Sequence, residues 1–460
     1  MTDRELVGAG AVAVLFLLIG LRIPVALAMI ATAVGGAYAL SEVAPFLRFA
    51  PYMMQFSTTL WSVVSNYDLS VVPLFILMGF LASEARLNYD LFHGLNALVG
   101  RLRGGVAIAT IAACAGFGAV SGSSLATAST MARISLPELL RLKYQEGLAT
   151  GVLAAGGTLG ILIPPSVALV IYAIVVEASI IQMFQAAVLP GLLAVLVFIA
   201  VICLLVARRP AIAPLADPLP ADERRAAVRR LLPVLAIFGG MIAGLGLGLF
   251  TPTPAAAVGG FVVALYGFLS PGRPLRLPGI RKAVLATATT SAMIYLILFA
   301  ADMLKGFFAR TGLPASLSSL AGSNGLDPYL VLLILLLVLI LLGCFMESLS
   351  MILVVVPFFW PVLVELNGGD YATAATAAFG MGNEELKIWF GILALVVVEL
   401  GLITPPVGLN VFVIKSFRPM TPMSTIFRGV FPFFLGEILR VGLLILAPAL
   451  CLLLPRLLGS

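Results

Sequence analysis

GTLGILIPPS occupies residues 157–166 and decides how the segment around it folds. The stretch lies inside a long apolar run, yet Pro164 and Pro165 remove two consecutive amide donors and disrupt the helical turn before them. The unwound strip would expose carbonyl oxygens to a cation, and the half-helix after it would present its positive N-terminal end to an anion. Such backbone is tolerated at membrane depth only where it lines a cavity. The competing interpretation is a plain proline kink in a continuous helix.

The composition of the chain places this broken helix in a lipid bilayer. Of the 460 residues, 61% are hydrophobic and only 10% are charged, whereas a soluble domain is about half apolar and about a quarter charged. Apolar runs of about 15 to 25 residues favour membrane helices over barrel strands, which alternate at every second residue. The composition therefore excludes a soluble enzyme, a nucleic-acid-binding protein and a disordered scaffold.

Cysteine and histidine usage argues against metal and disulfide chemistry. The four cysteines lie inside apolar runs, and their spacing is not typical of a disulfide framework or a metal site. His93 is the single histidine, so we expect neither a transition-metal centre nor a histidine-based triad. The sequence contains no Walker A motif, so we do not expect ATP hydrolysis. We therefore expect no enzyme activity and no cofactor.

Two apolar segments are interrupted by glycine, serine and charge, and we predict that they form re-entrant helical hairpins. These segments cover 104–140 and 328–366. Uninterrupted apolar runs predict the membrane spans. The predicted spans lie near 6–21, 24–40, 69–84, 146–176, 183–207, 231–250, 254–270, 283–300, 388–415 and 430–455.

The distribution of positive charge sets the predicted orientation. The polar stretch 208–230 contains six arginines, and the loop 271–282 adds three more and a lysine. Loops rich in Lys and Arg remain in the cytoplasm, which places both termini on the outside of the membrane. The assignment works only if each hairpin enters and leaves on one side of the membrane. The first hairpin would then open to the cytoplasm and the second to the outside.

The two halves of the chain share a sequence pattern. The motif IPPS at 163–166 recurs as ITPP at 403–406, and PVALA at 24–28 resembles PAAAV at 254–258 at a similar separation. Because the two hairpins open to opposite sides, the repeats would be inverted. Inverted repeats with broken helices are typical of secondary transporters. Chance similarity among apolar helices is the competing explanation.

Polar residues cluster at the predicted hairpin tips and breaks. FGAVSGSSLAT at 117–127 offers hydroxyl and carbonyl oxygens to a hard cation such as Na⁺, although helix packing through small residues gives a similar composition. The second half supplies a matching tip at 343–350 and a second break at 401–410. Glu347 and Glu399 are acids in apolar stretches and should face a cavity or a partner. For Glu347 we favour a functional or hairpin-stabilising role, whereas a position behind the ligating residues or at the lipid interface is an equal alternative for Glu399.

Six stretches of this sequence together carry a family resemblance. They are FGAVSGSSLATAS (117–129), GTLGILIPPS (157–166), LPG (189–191), FTPTPAAAVG (250–259), FMESLSMILVVVP (345–357) and GLITPPVGLNVF (401–412). With these motifs the chain resembles, over nearly its whole length, the large membrane subunit of the tripartite ATP-independent periplasmic (TRAP) transporters. One departure is Pro254, which stands where the family often has an acid.

The resemblance implies a sodium-driven importer of an organic acid, such as a dicarboxylate or sialic acid, in the bacterial inner membrane. It implies an all-α integral membrane fold with inverted repeats, two re-entrant hairpins and two broken helices that works by an elevator motion. The implied partners are a small four-helix membrane subunit and a periplasmic substrate-binding protein, with membrane lipids around the complex and no nucleic acid.

Carried onto this chain, the hairpin tips and broken helices of the family become the ion and substrate sites. Sodium is the implied coupling ion and the only implied metal, and no residue receives a catalytic role. The implied sodium-binding residues are Ser121, Ser123, Thr158 and Gly160 in one site and Glu347, Ser348, Gly401 and Thr404 in another. The implied substrate-binding residues are Ser123, Ser124, Thr127, Pro164, Pro165, Pro405, Pro406, Gly408 and Asn410.

An elevator divides the chain into a scaffold and a mobile transport domain. The expected scaffold comprises 1–68, 181–282 with its Arg-rich loop 208–230, and the C-terminal helix in 417–460. The expected transport domain comprises a first half at 104–180 and a second half at 326–416. A span with a cytoplasmic arm at 69–103 and a span with a periplasmic arm at 283–325 would link the two.

Three other functions compete with this interpretation. A stand-alone Na⁺/anion symporter of related architecture would need no binding protein. A channel would lack a strict sodium stoichiometry. A membrane-embedded enzyme would need a clustered nucleophile and base or an HExxH-like metal site, and the sequence contains neither.

Overall fold

A computed structural model of the chain describes residues 2–216, 220–270, 275–316, 319 and 326–458. The helices of the first half are α1 (Asp3–Gly20), α2 (Val25–Val43), α3 (Phe49–Ser65), α4 (Val71–Glu84), α5 (Leu87–Val99), α6 (Gly105–Ser121), α7 (Ser124–Arg141), α8 (Glu146–Leu162), α9 (Val167–Val175) and α10 (Ile180–Arg208). The helices of the second half are α11 (Ala221–Gly246), α12 (Pro252–Leu269), α13 (Leu277–Thr311), α14 (Pro328–Gly343), α15 (Ser348–Asn367), α16 (Asn383–Gly401), α17 (Leu409–Phe417), α18 (Met423–Leu446) and α19 (Ala449–Leu458).

Parts of several predicted segments, and both chain ends, lie outside the described residues. They are residue 1, 217–219 of the Arg-rich loop, 271–274 of the next basic loop with its Arg273, 317–318 and 320–325 of the periplasmic arm, and 459–460.

All regular secondary structure in the described ranges is helical, which confirms the predicted all-α class. In these ranges, seven helices are long and apolar enough to cross a membrane, or up to nine if two bent pairs each count as one span. One bent pair is α8 with α9, which meet at 47° across the proline motif. The other is α3 with the segment 68–84.

The structure corrects two of the span predictions. Residues 49–65, which the predicted spans leave out, form α3, because Gln55, Ser57 and Thr58 dilute the apolar signal of an otherwise regular helix. The predicted span 430–455 is two helices, since α18 ends at Leu446 and α19 begins after Pro448. A proline disfavours the helical conformation of the residue before it. Ala447 accordingly leaves the helix with φ −129° and ψ 73°.

The described residues fall into two compact units. Unit 1 is formed by parts of 1–70, 289–337 and 349–387, and unit 2 by parts of 71–288, 338–348 and 388–460. The first hairpin and both proline breaks therefore belong to unit 2, and so does the segment 338–348, which contains the tip of the second hairpin. The predicted division into scaffold and transport domains stays a prediction.

Unit 1 is held together by aromatic contacts to α13. The Tyr52 hydroxyl donates to the Met303 carbonyl at 2.9 Å, and the Arg310 guanidinium lies 4.8 Å from the centre of the Tyr52 ring. Gly36 faces the ring of Phe307, and a Cβ at Gly36 would lie 2.5 Å from the Phe307 Cζ atom. These contacts fix α2 and α3 against α13.

Helix α8 forms the centre of unit 2. Every residue from Gly147 to Leu162 is buried, and many of these residues are Gly, Ala or Thr, which let neighbouring helices approach closely. α6, α7 and α18 all pack on α8. The approach of α18 is the closest, because a Cβ at Gly429 would overlap the backbone of Gly147. The broken helix is thus the element around which the rest of unit 2 is arranged.

Candidate functional site

The first hairpin turns within two residues, Gly122 and Ser123. Gly122 adopts φ +58°, a left-handed conformation that glycine reaches without steric penalty. Its amide donates to the Gly118 carbonyl at 2.8 Å, which closes the end of α6. The Ser123 hydroxyl then accepts from the Ala126 amide at 3.4 Å and caps the start of α7. The sequence SGSS therefore produces the tight tip that its glycine and serines predict.

Two oxygens of this tip lie against bare backbone of α8, and a third oxygen lies beside one of them. The Ser121 and Thr127 hydroxyl oxygens lie 2.8 Å apart, and the Thr127 amide donates to the Ser123 carbonyl at 3.0 Å. A Cβ at Gly160 would lie 2.6 Å from Thr127 Oγ1 and 2.7 Å from the Ser123 carbonyl oxygen. The structure thus brings together Ser121, Ser123 and Gly160 of the first sodium set and adds Thr127 from the substrate set.

The side chain of Thr158 does not join this cluster. Its hydroxyl donates to the Ala155 carbonyl of its own helix at 2.6 Å. Residues two positions apart on a helix do not face the same side, so Thr158 points elsewhere when Gly160 faces the tip. Sequence proximity therefore overestimated the part that the Thr158 side chain plays in this cluster.

The second tip and the second break repeat the same contact. A Cβ at Gly401 would lie 2.7 Å from the Gly343 Cα atom, just as a Cβ at Gly118 would lie 2.6 Å from the Gly160 Cα atom. In each half, a glycine in the first of the two hairpin helices therefore lies against a glycine of the broken helix.

Beyond Gly401 the chain unwinds into turns that expose polar groups. The Thr404 hydroxyl donates to the Leu400 carbonyl at 2.6 Å, and the Cys344 thiol donates to the Pro405 carbonyl at 3.4 Å. Gly401 and Thr404 of the second sodium set therefore lie in one turn beside the second tip. Glu347 of the same set is half-buried at that tip.

Glu399 connects the two hairpin tips. Its Oε2 atom accepts from the Ser124 hydroxyl at 2.5 Å, and its Oε1 atom accepts from the Ser348 hydroxyl at 2.9 Å. The residue is only 2% exposed, so the lipid-interface alternative for Glu399 is wrong. The sequence alone gave Glu399 too little weight. Its one signal was that it is an acid in an apolar run, two positions before Gly401.

The implied substrate residues are dispersed over several environments. Pro164 and Pro165 are buried and border a small cavity of about 40 Å³ together with Phe184 and Gln185, whereas Pro405 and Pro406 are exposed. The Pro164–Pro165 and Pro405–Pro406 bonds are both cis.

Gly408 and Asn410 have structural partners in unit 2. Gly408 adopts φ +65° where α17 begins, a conformation that favours glycine. Asn410 is fully buried, and its amide donates to the Ala154 carbonyl of α8 at 3.3 Å. The Asn410 side chain thus joins the two broken helices.

Comparison with known proteins decides the family. Residues 12–450 match the family described as "Tripartite ATP-independent periplasmic transporter, DctM component". The chain belongs to this family. The match includes both hairpin tips and both proline breaks, and it confirms the TRAP resemblance of the motifs around them.

Two relatives within the TRAP family illustrate the match. The chain is 35% identical to the C4-dicarboxylate TRAP transporter large permease protein DctM of Pseudomonas aeruginosa, over 91% of this chain and 94% of that protein. It is 31% identical to the sialic acid TRAP transporter large permease protein SiaM of Vibrio cholerae, over 86% of this chain and 87% of that protein. The chain therefore covers most of the length of both large permease proteins.

A solved structure supports the fold. The Alcanivorax borkumensis YdaH transporter aligns with a TM-score of 0.58 at 16% sequence identity, over 86% of this chain and 88% of that chain. At this identity the likeness concerns the fold alone. It places the TRAP permease chain among proteins with the architecture of a membrane transporter.

Proposed function

We propose that this chain is the large permease subunit that imports an organic acid across the bacterial inner membrane, driven by sodium. The observation that carries the proposal is the oxygen-rich contact between the first hairpin tip and Gly160, together with the backbone contact of Gly343 with Gly401 in the second half. Both relatives named above carry substrate names of carboxylate compounds, C4-dicarboxylates and sialic acid. A carboxylate substrate is therefore the favoured class for this chain.

Sodium coupling follows from the charge of such a substrate. An anion that enters a cell with a negative interior is opposed by about 2.3 kcal/mol per charge per 100 mV. Two or more sodium ions would offset this charge and add the energy of their own gradient. The proposed ligands of one ion are Ser121, Ser123, Thr158 and Gly160, and those of the other are Glu347, Ser348, Gly401 and Thr404. For Thr158 the backbone is the favoured ligand, because Gly160 faces the tip and a side chain two positions earlier on the helix does not.

The same contacts favour an inverted repeat and an elevator motion. A hairpin glycine meets a broken-helix glycine at Gly118–Gly160 and again at Gly343–Gly401, which is the pairing that a duplication would produce. With hairpins that open to opposite sides, movement of the tips and breaks as one body would carry the site between the two faces. Because α18 packs so closely on α8, we expect α18 to move with α8, which differs from the scaffold position that the sequence predicts for 417–460.

Family membership supports the proposed partners. A small four-helix membrane subunit would complete the membrane complex, and a periplasmic binding protein would deliver the substrate to it. Both termini would then lie in the periplasm. The arginines between Arg224 and Arg230 would contact anionic lipids at the cytoplasmic surface.

Uptake by proteoliposomes tests the proposal. The chain would be reconstituted with its small subunit and assayed with labelled C4-dicarboxylates and labelled sialic acid, with and without the binding protein. We expect uptake only with the binding protein and an inward sodium gradient, and none above background when choline replaces sodium. Uptake without a binding protein would instead favour the stand-alone symporter.

Loss of a single hydroxyl from either proposed sodium site is expected to change the sodium requirement. Ser123→Ala and Thr404→Ala should each raise the sodium concentration for half-maximal uptake about tenfold, since each removes one polar contact of a buried site. Ser135→Ala is the matched control, because Ser135 is buried in α7 and its hydroxyl has no hydrogen-bond partner among the described residues. Unchanged sodium dependence in both site variants would contradict the assignment.

Crosslinking tests the elevator. α4 touches the first hairpin where a Cβ at Gly79 would lie 2.8 Å from the Val120 carbonyl oxygen. Cysteine pairs placed on α4 and α6 around this contact should form a disulfide that stops uptake, and a reductant should restore it. Normal uptake after efficient crosslinking would refute motion of the hairpin relative to α4.

A further inference from the structure

Glu399 and Glu437 are carboxylates in the interior of unit 2 that differ in their basic partners among the described residues. Glu437 and Glu399 are each 2% exposed. Glu437 pairs with Arg440, whereas no ion pair involves Glu399 in the described part of the chain. A buried charge in proteins is normally paired or coordinates a metal ion. The ionised form of Glu399 therefore requires a positive charge that the described side chains do not provide.

The hydrogen bonds of Glu399 orient two serine hydroxyls. A hydroxyl has one hydrogen, and Ser124 and Ser348 both direct theirs at the carboxylate, at 2.5 Å and 2.9 Å. Each serine oxygen then has only its lone pairs available, and lone pairs accept but cannot donate. Ser124 is therefore better suited to ligate a cation than to donate to a substrate carboxylate, and the same holds for Ser348.

We propose that Glu399 is a positioning residue that holds the Ser124 and Ser348 hydroxyls as cation acceptors and thereby couples the two sodium sites. The inference rests on the proposed sodium-driven function. Ser124 follows Ser123 of the first site, and Ser348 belongs to the second. Outer groups that orient metal ligands are known to change metal affinity by about 10–100-fold. An ion at one tip fixes the shared carboxylate and so prepares the hydroxyl at the other tip.

Replacement of Glu399 by glutamine separates this role from a merely structural one. A glutamine side chain is similar in size, but it accepts through its oxygen and donates through its nitrogen. It can therefore hold only one of the two serine hydroxyls in the accepting state, and it carries no charge. If Glu399 only fills space, its replacement would lower the stability in any buffer. If Glu399 orients the serine hydroxyls, its replacement alters only the response to sodium.

The experiment measures the rise of the unfolding temperature of the purified complex as sodium replaces choline. For the wild-type chain we expect a sigmoidal response with a Hill coefficient above one. Glu399→Gln should raise the half-saturating sodium concentration at least tenfold and bring the Hill coefficient to about one. Ser124→Ala and Ser348→Ala leave the carboxylate in place, so they serve if the glutamine variant fails to fold, and each should lower the Hill coefficient in the same way. Ser135→Ala should leave the curve unchanged.

The possible failures are distinguishable. If the wild-type complex does not respond to sodium, the proposed sodium-driven function fails. If it responds with a Hill coefficient of one, the sites are independent and the coupling is overturned. If it responds cooperatively and the Glu399→Gln curve coincides with it, the role of Glu399 is overturned while sodium binding stands.

Discussion

Gly160→Ala is expected to reduce sodium-dependent uptake about a hundredfold or more. The new Cβ would lie 2.6 Å from Thr127 Oγ1 and 2.7 Å from the Ser123 carbonyl oxygen, distances that real Cβ atoms essentially never show. One of these atoms is backbone at the hairpin turn, so rotation of a side chain cannot relieve the clash. The tip must move away from α8, and displacement of a binding group by about 1 Å is enough for an effect of this size.

Gly306→Ala is the matched control for this prediction. Gly306 lies in α13, and among the described residues no atom outside its own helical turn lies within 4 Å of the position of a Cβ. The substitution should leave uptake unchanged and raise stability by about 0.4–1 kcal/mol, because alanine restricts the unfolded chain. The measurement is initial uptake against sodium concentration in proteoliposomes, with the unfolding temperature as a check on folding. Wild-type uptake by Gly160→Ala would exclude the tip contact as the ion site.

The hairpin tips and breaks could be predicted from sequence because their causes are local. Gly122 reaches a left-handed φ, and consecutive prolines remove the amides that a helix requires. Neither effect depends on the rest of the fold, so SGSS and IPPS are informative on their own. The same is true of the apolar composition, which predicted an all-α membrane chain without any knowledge of packing.

The remaining features depend on tertiary contacts. Nothing in the neighbourhood of Glu399 in sequence indicates that its partners would be Ser124 and Ser348, since the first is 275 positions away. The orientation of Thr158 depends on which face of α8 the hairpin covers, and the apolar periodicity of a fully buried helix contains no such information. α3 was missed for a local reason, because Gln55, Ser57 and Thr58 dilute its apolar signal.

Arg440→Leu is expected to lower the free energy of unfolding by about 3–5 kcal/mol. The Arg440 Nε atom donates to Glu437 Oε2 at 2.9 Å, its Nη2 atom contacts the same oxygen, and its Nη1 atom donates to the Pro190 carbonyl of α10 at 3.1 Å. Both charged side chains are almost completely buried. Removal of the guanidinium therefore leaves a carboxylate without a counter-charge in the apolar interior. Thermal unfolding of the purified complex would measure the loss.

The double variant Glu437→Leu with Arg440→Leu should regain most of that stability, because it removes the charge that the single variant leaves stranded. Glu437 Oε1 has no hydrogen-bond partner among the described residues, so the wild-type pair already contains one buried oxygen whose loss of hydration is not offset. Replacement of a buried pair by apolar side chains is often neutral or stabilising. The Pro190 carbonyl loses its donor in both variants, and the difference between them therefore isolates the cost of the unpaired carboxylate. Equal stability of the single and double variants would show that Arg440 acts through Pro190 and not through Glu437.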